Sequence, residues 1–239
     1  MRALAIIPAY NEDDIIHWSV SHLIEQGLAV HVIDCASTDD TVRLARKAGA
    51  AVEHHPVPDG RVSWRAVLQR AEQLANDPAR IHHWLMFQDA DEIRRSPLDG
   101  ERLLDAFERM DGEGYNVAEL EVWTYYPIDN RYDGSISPED HFAHSKRDIF
   151  NERIGQQKIW KNQGAVEFAW SGGHRLRALH ELRPHPLKLI SKHYPIRSQS
   201  HGERKVFHER RGRWSDPEKT WHVQYDHVQP GHDFLVKPK

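Results

Sequence analysis

The chain has 239 residues, eight Trp, seven Tyr and seven Phe, with 39% hydrophobic and 28% charged residues and a formal net charge of −4. That length suits one large domain or two small ones, and the aromatic content excludes disorder as the main state. No run reaches the roughly 18 apolar residues of a membrane span, the opening MRALAIIPAYNE does not read as a signal peptide, and the lone Cys35 excludes an internal disulfide and fits a reducing cytoplasm.

In chain order, ALAIIPA at 3–9 is an apolar run closed by Pro8, the pattern of a strand buried on both faces. Asn11, Glu12, Asp13 and Asp14 precede IIHWSVSHLIEQG, which predicts a helix over 13–26 with acids in its first turn and Gly27 as the stop. AVHVID at 29–34 reads as a second strand. Ser37, Thr38 and Asp39 are suited to cap the helix TVRLARKAG. AAVEHHP reads as a third strand, VSWRAVLQRAEQLA as a helix, and HHWLMFQDADEI as a fourth strand ending in acid. A helix at 98–110 and a strand at 115–126 follow. This alternation predicts an α/β fold, a mostly parallel sheet with helices on both faces. After Pro127 the pattern changes: 128–157 is polar and irregular, and 158–195 alternates like paired strands. The expected organisation is an α/β part over 1–126 and a second part over 127–239, packed as one compact domain. The second part comprises a smaller β region and a basic C-terminal tail.

Charge is divided unevenly, with 13 Lys/Arg against 26 Asp/Glu in residues 1–140 and 19 against 10 in 141–239. A nucleic-acid binder led by the basic tail is disfavoured, because phosphate affinity needs a broad positive face. In a parallel sheet, ligands bind at the carboxyl ends of the strands. Three acidic clusters converge there: Tyr10-Asn11-Glu12, then Asp34 with Ser37-Thr38-Asp39, then Asp89-Ala90-Asp91-Glu92. Carboxylates gathered in this way repel one another unless a cation compensates, and a hard divalent metal takes oxygen ligands. A dehydrogenase would need G-x-G-x-x-G after the first strand, and it is absent. A sugar nucleotidyltransferase would place a Gly-rich basic loop there, whereas PAYNEDD has neither glycine nor cation. A D-x-D phosphatase would carry its motif on the first strand rather than the fourth.

IIPAYNE, VIDCASTDDT and LMFQDADE, in this order, resemble the motifs of family 2 glycosyltransferases with the GT-A fold, over roughly residues 3–125. Cys35 and Ala36 depart from the family's usual Asn and Gly. The resemblance implies transfer of a sugar from a nucleotide-diphosphate-sugar donor to a saccharide or small-molecule acceptor, with inversion and with Mn²⁺ or Mg²⁺. It implies a nucleotide pocket formed by Pro8, Ala9, Tyr10, Glu12, Asp34, Asp39 and Asp89. It also implies metal ligation by Asp91 with Asp89 and His193. Arg197, Arg204 and Lys205 are candidates to meet the diphosphate. On this reading Asp91→Ala removes transfer and leaves the fold intact. The general base stays open among His174, Glu167, Glu139 and Asp140. Trp123, Trp160 and Trp170 are candidates to stack on sugar rings, or to be core. A catalytically inactive nucleotide-sugar-binding protein is the alternative.

The tail supports two expectations. Six cations lie between Arg197 and Arg213, and Gly202 and Gly212 would let the segment move, so it is expected to be mobile when empty and to close over bound diphosphate. The rival expectation is a basic helix permanently docked on the acidic front half.

Overall fold

The computed structural model describes residues 1–79, 81–149, 155–210, 213 and 225–237. The first half alternates as expected: β1 (Ala3–Ala9), α1 (Ile16–Glu25), β2 (Leu28–Asp34), α2 (Thr41–Lys47), β3 (Ala51–His54), α3 (Trp64–Ala75) and β4 (Trp84–Phe87). Then come β5 (Glu92–Arg95), α4 (Leu103–Gly112), β6 (Val117–Tyr125), α5 (Pro138–His141), β7 (Ser145–Arg147) and β8 (Gln156–Lys161). The chain continues with β9 (Val166–Glu167), β10 (Arg177–Ala178), β11 (Leu189–His193), α6 (Gln199–Glu203) and a π-helical stretch, Arg204–Arg210.

Nine strands form one sheet in the order β3-β2-β1-β4-β8-β6-β11-β5, with β7 also pairing β6, while β9 and β10 form a separate two-stranded sheet. β3, β2, β1 and β4 are mutually parallel, and β8 joins antiparallel to both β4 and β6. The chain beyond residue 127 therefore returns β7, β8 and β11 into the sheet built by the first half.

Alternation along β1 separates two cores. Ala3, Ala5, Ile7 and Ala9 pack with Ile16, Val20 and Leu23 of α1 and with Leu103, Phe107 and Met110 of α4. Leu4 and Ile6 face the other way, onto Val67, Leu68, Ala71 and Leu74 of α3. Successive side chains of a strand point to opposite faces, so a run apolar at every position is what a sheet covered on both sides requires. Trp84 of β4 is fully enclosed and stacks on Phe107 at 5.2 Å.

Two boundaries differ from the sequence reading. α1 begins at Ile16 rather than near residue 13, because the Glu12 carbonyl accepts from the Ile15 and Ile16 amides in a preceding turn. The expected single strand over HHWLMFQDADEI is two strands. β4 stops at Phe87, a tight turn holds Asp89 and Asp91, and β5 pairs antiparallel with β11 at the far edge of the sheet. Gln88 makes the break: its Nε2 donates to Ser19 Oγ at 3.0 Å and to the Glu92 carbonyl at 2.9 Å, so it pins both ends of the turn.

Candidate functional site

The C-terminal ends of β1, β4 and β11 open into a cavity of about 490 Å³, within the range of small-molecule sites. Pro8, Ala9, Tyr10 and Glu12 line it from β1 and its loop, and Asp89 and Asp91 from the β4–β5 turn. His193 enters from the end of β11 and Lys205 from the π-helical stretch. The β5–β11 register fixes one of these meetings: His193 sits opposite Glu92, and the Tyr194 amide donates to the Asp91 carbonyl at 2.8 Å. His193, 102 positions after Asp91, is thereby set beside the D-x-D turn.

Each carboxylate of that turn has its own buried lysine. Lys158 of β8 is 2% exposed, with Nζ 2.7 Å from Asp89 Oδ2 and 3.5 Å from Glu92 Oε1. Lys205 is 4% exposed, with Nζ 2.8 Å from Asp91 Oδ2 and 3.3 Å from Glu12 Oε1. Burial pushes both aspartates up, and the lysine charges outweigh it, holding Asp89 below and Asp91 well below the ordinary carboxylate range. Both are ionised at neutral pH.

The loops after β1 and β2 are tied to each other. Asn11 has φ of 51°, a left-handed conformation that asparagine tolerates. Its amide donates to Ser37 Oγ at 3.1 Å, its Oδ1 accepts from the Thr38 amide at 2.9 Å, and its Nδ2 donates to Glu209 Oε1 at 2.9 Å. Asp34 is 1% exposed and serves the loop, accepting from the Ser37 amide at 3.1 Å and lying 2.9 Å from His54 Nδ1. Asp39 accepts from the Thr41 amide at 2.9 Å and the Asp13 amide at 3.3 Å. These two aspartates shape the wall and do not line the cavity. Ala36, where the resembled motif has glycine, has φ of 63°. A left-handed alanine costs about 1–2 kcal/mol, so this chain keeps the loop shape at the expense of local strain.

The basic segment is docked, not loose. Arg197 is fully buried, and its Nη2 lies 2.6 Å from Glu12 Oε2, 2.7 Å from Asp14 Oδ1 and 2.9 Å from His201 Nε2. Burial first, then the charges of Arg197 and Lys205, push His201 well below its ordinary value, so the neutral ring accepts from the guanidinium. Glu12, Asp14 and His201 are spaced as a metal-ligand group, and Arg197 already fills that group. Arg197 therefore does not face the cavity as expected from sequence. Arg204 is also outside it, 3.4 Å from Glu209. Gly202 is no hinge: a Cβ there would lie 2.5 Å from the Phe234 ring, so close packing is what requires glycine. Gly212 lies outside the described residues. The acidic front half needs internal countercharge, and residues 197–210 supply it.

Of the candidate bases, only His174 lines the cavity. Burial, then the Lys158 charge, bring it down to about 4, so it is neutral at neutral pH. Glu167 is on the exposed edge of the small β9–β10 sheet. Asp140 sits in α5 with Glu139, and neither lines the cavity. Glu139 accepts from Lys192 Nζ at 2.6 Å and Arg95 Nε at 2.8 Å. Trp160 is core, Trp170 lies under the Arg177 guanidinium at 4.0 Å, and Trp123 donates to Glu121 at 2.7 Å; none of the three lines the cavity. Arg210 and Arg213, two of the six cations of the basic tail, line it, and so do Lys158, Gln156 and Asp148, which the sequence reading does not single out.

Glu139 carries a pH prediction. Burial raises its carboxyl, but the bonds from Arg95 and Lys192 prevail and bring it to about 2. Its folded value is below the unfolded one of about 4.3, so its stabilisation is fully present above pH 4.3 and is lost as pH falls through 2. The stability gap between wild type and Glu139→Gln should therefore be constant near neutrality, narrow below about pH 4.3 and close near pH 2 in urea titrations. A gap unchanged down to pH 2 contradicts this.

The site fits a divalent cation. Asp91 Oδ1, the oxygen not bonded to Lys205, lies 3.6 Å from His193 Nε2. That is within the roughly 4.2 Å spanned by two ligands each about 2.1 Å from one ion. Asp89, bonded to Lys158, is turned to a different partner.

A family profile described as Glycosyl transferase family 2 matches residues 4–175. Among solved structures, one similar chain is glucosyl-3-phosphoglycerate synthase from Mycobacterium tuberculosis in complex with Mg²⁺ and uridine-diphosphate. It is 24% identical, with TM-score 0.37, covering 51% of this chain and 43% of that one. Another is a mannosyltransferase from Pyrobaculum calidifontis in complex with GDP-Man and Mn²⁺, 22% identical, with TM-score 0.36, covering 56% of this chain and 37% of that one. The chain thus spans less than half the length of these solved structures, and what they bind is said of them alone. A search of curated proteins returned no match.

Proposed function

The chain belongs to glycosyl transferase family 2, with the GT-A type α/β fold, and from that premise we propose that it moves a sugar from a nucleotide-diphosphate sugar to an acceptor hydroxyl, with inversion. The observation that carries this reading is the meeting of Asp91 Oδ1 and His193 Nε2, 3.6 Å apart, in the cavity that the β1 motif also lines. Asp91 and His193 would hold Mn²⁺ or Mg²⁺, whose chemistry there is to neutralise charge developing on a leaving diphosphate.

The remaining work falls to the chain's own residues. Pro8, Ala9 and Tyr10 give the nucleoside an apolar and aromatic wall. Lys205 adds fixed positive charge beside the diphosphate, aligned in advance and so without reorganisation during reaction. The bond from the sugar's anomeric carbon to the diphosphate oxygen breaks, the acceptor oxygen bonds to that carbon, and the acceptor proton passes to a base. His174, neutral and in the cavity, has a lone pair for it. No helix among the described residues is long and apolar enough to cross a membrane, and a freely diffusing saccharide or small-molecule acceptor fits an open cavity of this size.

Thermal shift tests the binding half of this reading. A nucleoside diphosphate at 100 times its Kd stabilises by about 2.7 kcal/mol, which for a chain of this length raises Tm by about 5–10 °C. At least one of UDP, GDP, ADP or dTDP should do so with Mn²⁺ or Mg²⁺. If none does with either metal, the reading fails.

A further inference from the structure

Lys205 stands where the site's own chemistry calls for a cation. Its ammonium is bonded to Asp91 Oδ2 and Glu12 Oε1, and all three residues line the cavity. An ammonium has three N–H donors; among the described residues Glu12 and Asp91 engage two of them, which leaves the third for a ligand. The lysine is also fixed by its surroundings. Its neighbour Val206 is fully buried in a cluster with Ile196, Val228 and Phe234, and α6 before it is capped by Ser198 Oγ, which accepts from the His201 amide at 3.1 Å. Glu209, at the end of the same stretch, accepts from Asn11. Lys205 is therefore held beside Asp91 rather than swinging past it.

Charge then decides what the empty site accepts. Glu12, Asp14 and Asp91 face Arg197 and Lys205, which leaves about one negative charge. A divalent ion arriving alone at Asp91 and His193 overshoots to net positive, next to a fixed ammonium. A divalent ion arriving with a diphosphate does not. Without Lys205 the same cluster carries two negative charges and suits the bare ion.

We propose, resting on the glycosyl-transfer reading above, that Lys205 is a resident cation that holds down the affinity of the empty protein for a divalent ion and ties metal binding to diphosphate binding. Lys205 and the metal divide Asp91 between them, one oxygen each, and the unused ammonium proton meets the incoming phosphate. The residue acts as a specificity device: it favours metal–diphosphate over metal alone and diphosphate alone over an empty cavity.

The test uses Mn²⁺ and inorganic pyrophosphate as probes on wild type, Lys205→Met, Lys205→Arg and His193→Ala, with free Mn²⁺ followed by electron paramagnetic resonance and metal-free pyrophosphate binding followed by titration calorimetry. Lys205→Met should bind Mn²⁺ alone at least tenfold more tightly than wild type, and pyrophosphate without metal at least tenfold more weakly. Lys205→Arg should resemble wild type, and His193→Ala should lose Mn²⁺. Lys205→Gln, which keeps hydrogen-bond donors to Asp91, replaces the Met variant if that chain does not fold, and the same gain in Mn²⁺ affinity is expected. His193-dependent Mn²⁺ binding that is no tighter in the neutral variants overturns the role of Lys205 and leaves the glycosyl-transfer reading standing. No Mn²⁺ binding by wild type, with or without pyrophosphate, overturns both.

Discussion

Asp91→Asn should abolish glycosyl transfer and lower the melting temperature in the same protein. The loss of transfer is expected to be at least about 10²–10³-fold, the scale for removing one group that stabilises developing charge. From the sequence, removing this strand-end carboxylate is expected to leave the fold intact. It is 6% exposed and bonded to Lys205. Removing its charge leaves Lys205 buried with Glu12 as its one carboxylate partner among the described residues. Asparagine keeps an oxygen that accepts from the ammonium, so the cost is about 1–3 kcal/mol, or roughly 3–10 °C in Tm. Near-normal turnover in Asp91→Asn would place the metal elsewhere. An unchanged Tm would show that Lys205 does not depend on this partner.

Arg197→Met should be the most destabilising single change in the basic segment. The guanidinium is fully buried and bridges Glu12 and Asp14, which hold the turn between β1 and α1. Breaking a buried pair from one side leaves uncompensated charge and costs about 3–5 kcal/mol, here a fall of about 10 °C or more. Thermal and urea unfolding measure it. A docked segment predicts this loss; a segment that only meets ligand phosphate predicts none in the empty protein, and a wild-type Tm for Arg197→Met would favour that view.

The first six elements and the approach to the cavity were legible because they are local. β1 and β4 are continuous apolar runs and β2 is interrupted by His31, and their polar endings mark the sheet edge where Tyr10, Asp34 and Asp89 lie. The break between β4 and β5 is not legible, since WLMFQDADEI holds no Gly or Pro to mark a turn and only the pairing of β5 with β11 separates the two strands. The strand QQKIWK carries two lysines, and Lys158, set between Gln157 and Ile159, is buried while Lys161 at the end is not; a buried ammonium demands a carboxylate partner. The charge of Arg197 suggests ligand phosphate from sequence, whereas in the fold its guanidinium is buried against Glu12 and Asp14 and does not line the cavity; Lys205 lines the cavity and is also bonded to Asp91 and Glu12. Composition alone cannot say whether a cation will meet a ligand or a carboxylate brought from 114 to 193 positions away. Gly202 misled for the same reason, since its need for a missing side chain comes from Phe234 across the fold. The base remained open because His174 reaches the cavity through the turn at Gly172 and Gly173, whose positive φ values of 72° and 91° have no periodic signature.

The most direct test of metal-assisted sugar transfer at Asp91 is release of nucleoside diphosphate from a panel of UDP-, GDP-, ADP- and dTDP-sugars, offered with saccharide acceptors. It compares wild type with Asp91→Asn, each with Mn²⁺ and with EDTA. At least one donor should be consumed by wild type with Mn²⁺, and none by the variant or in EDTA. Consumption of no donor by wild type, or equal consumption by Asp91→Asn, would contradict the account.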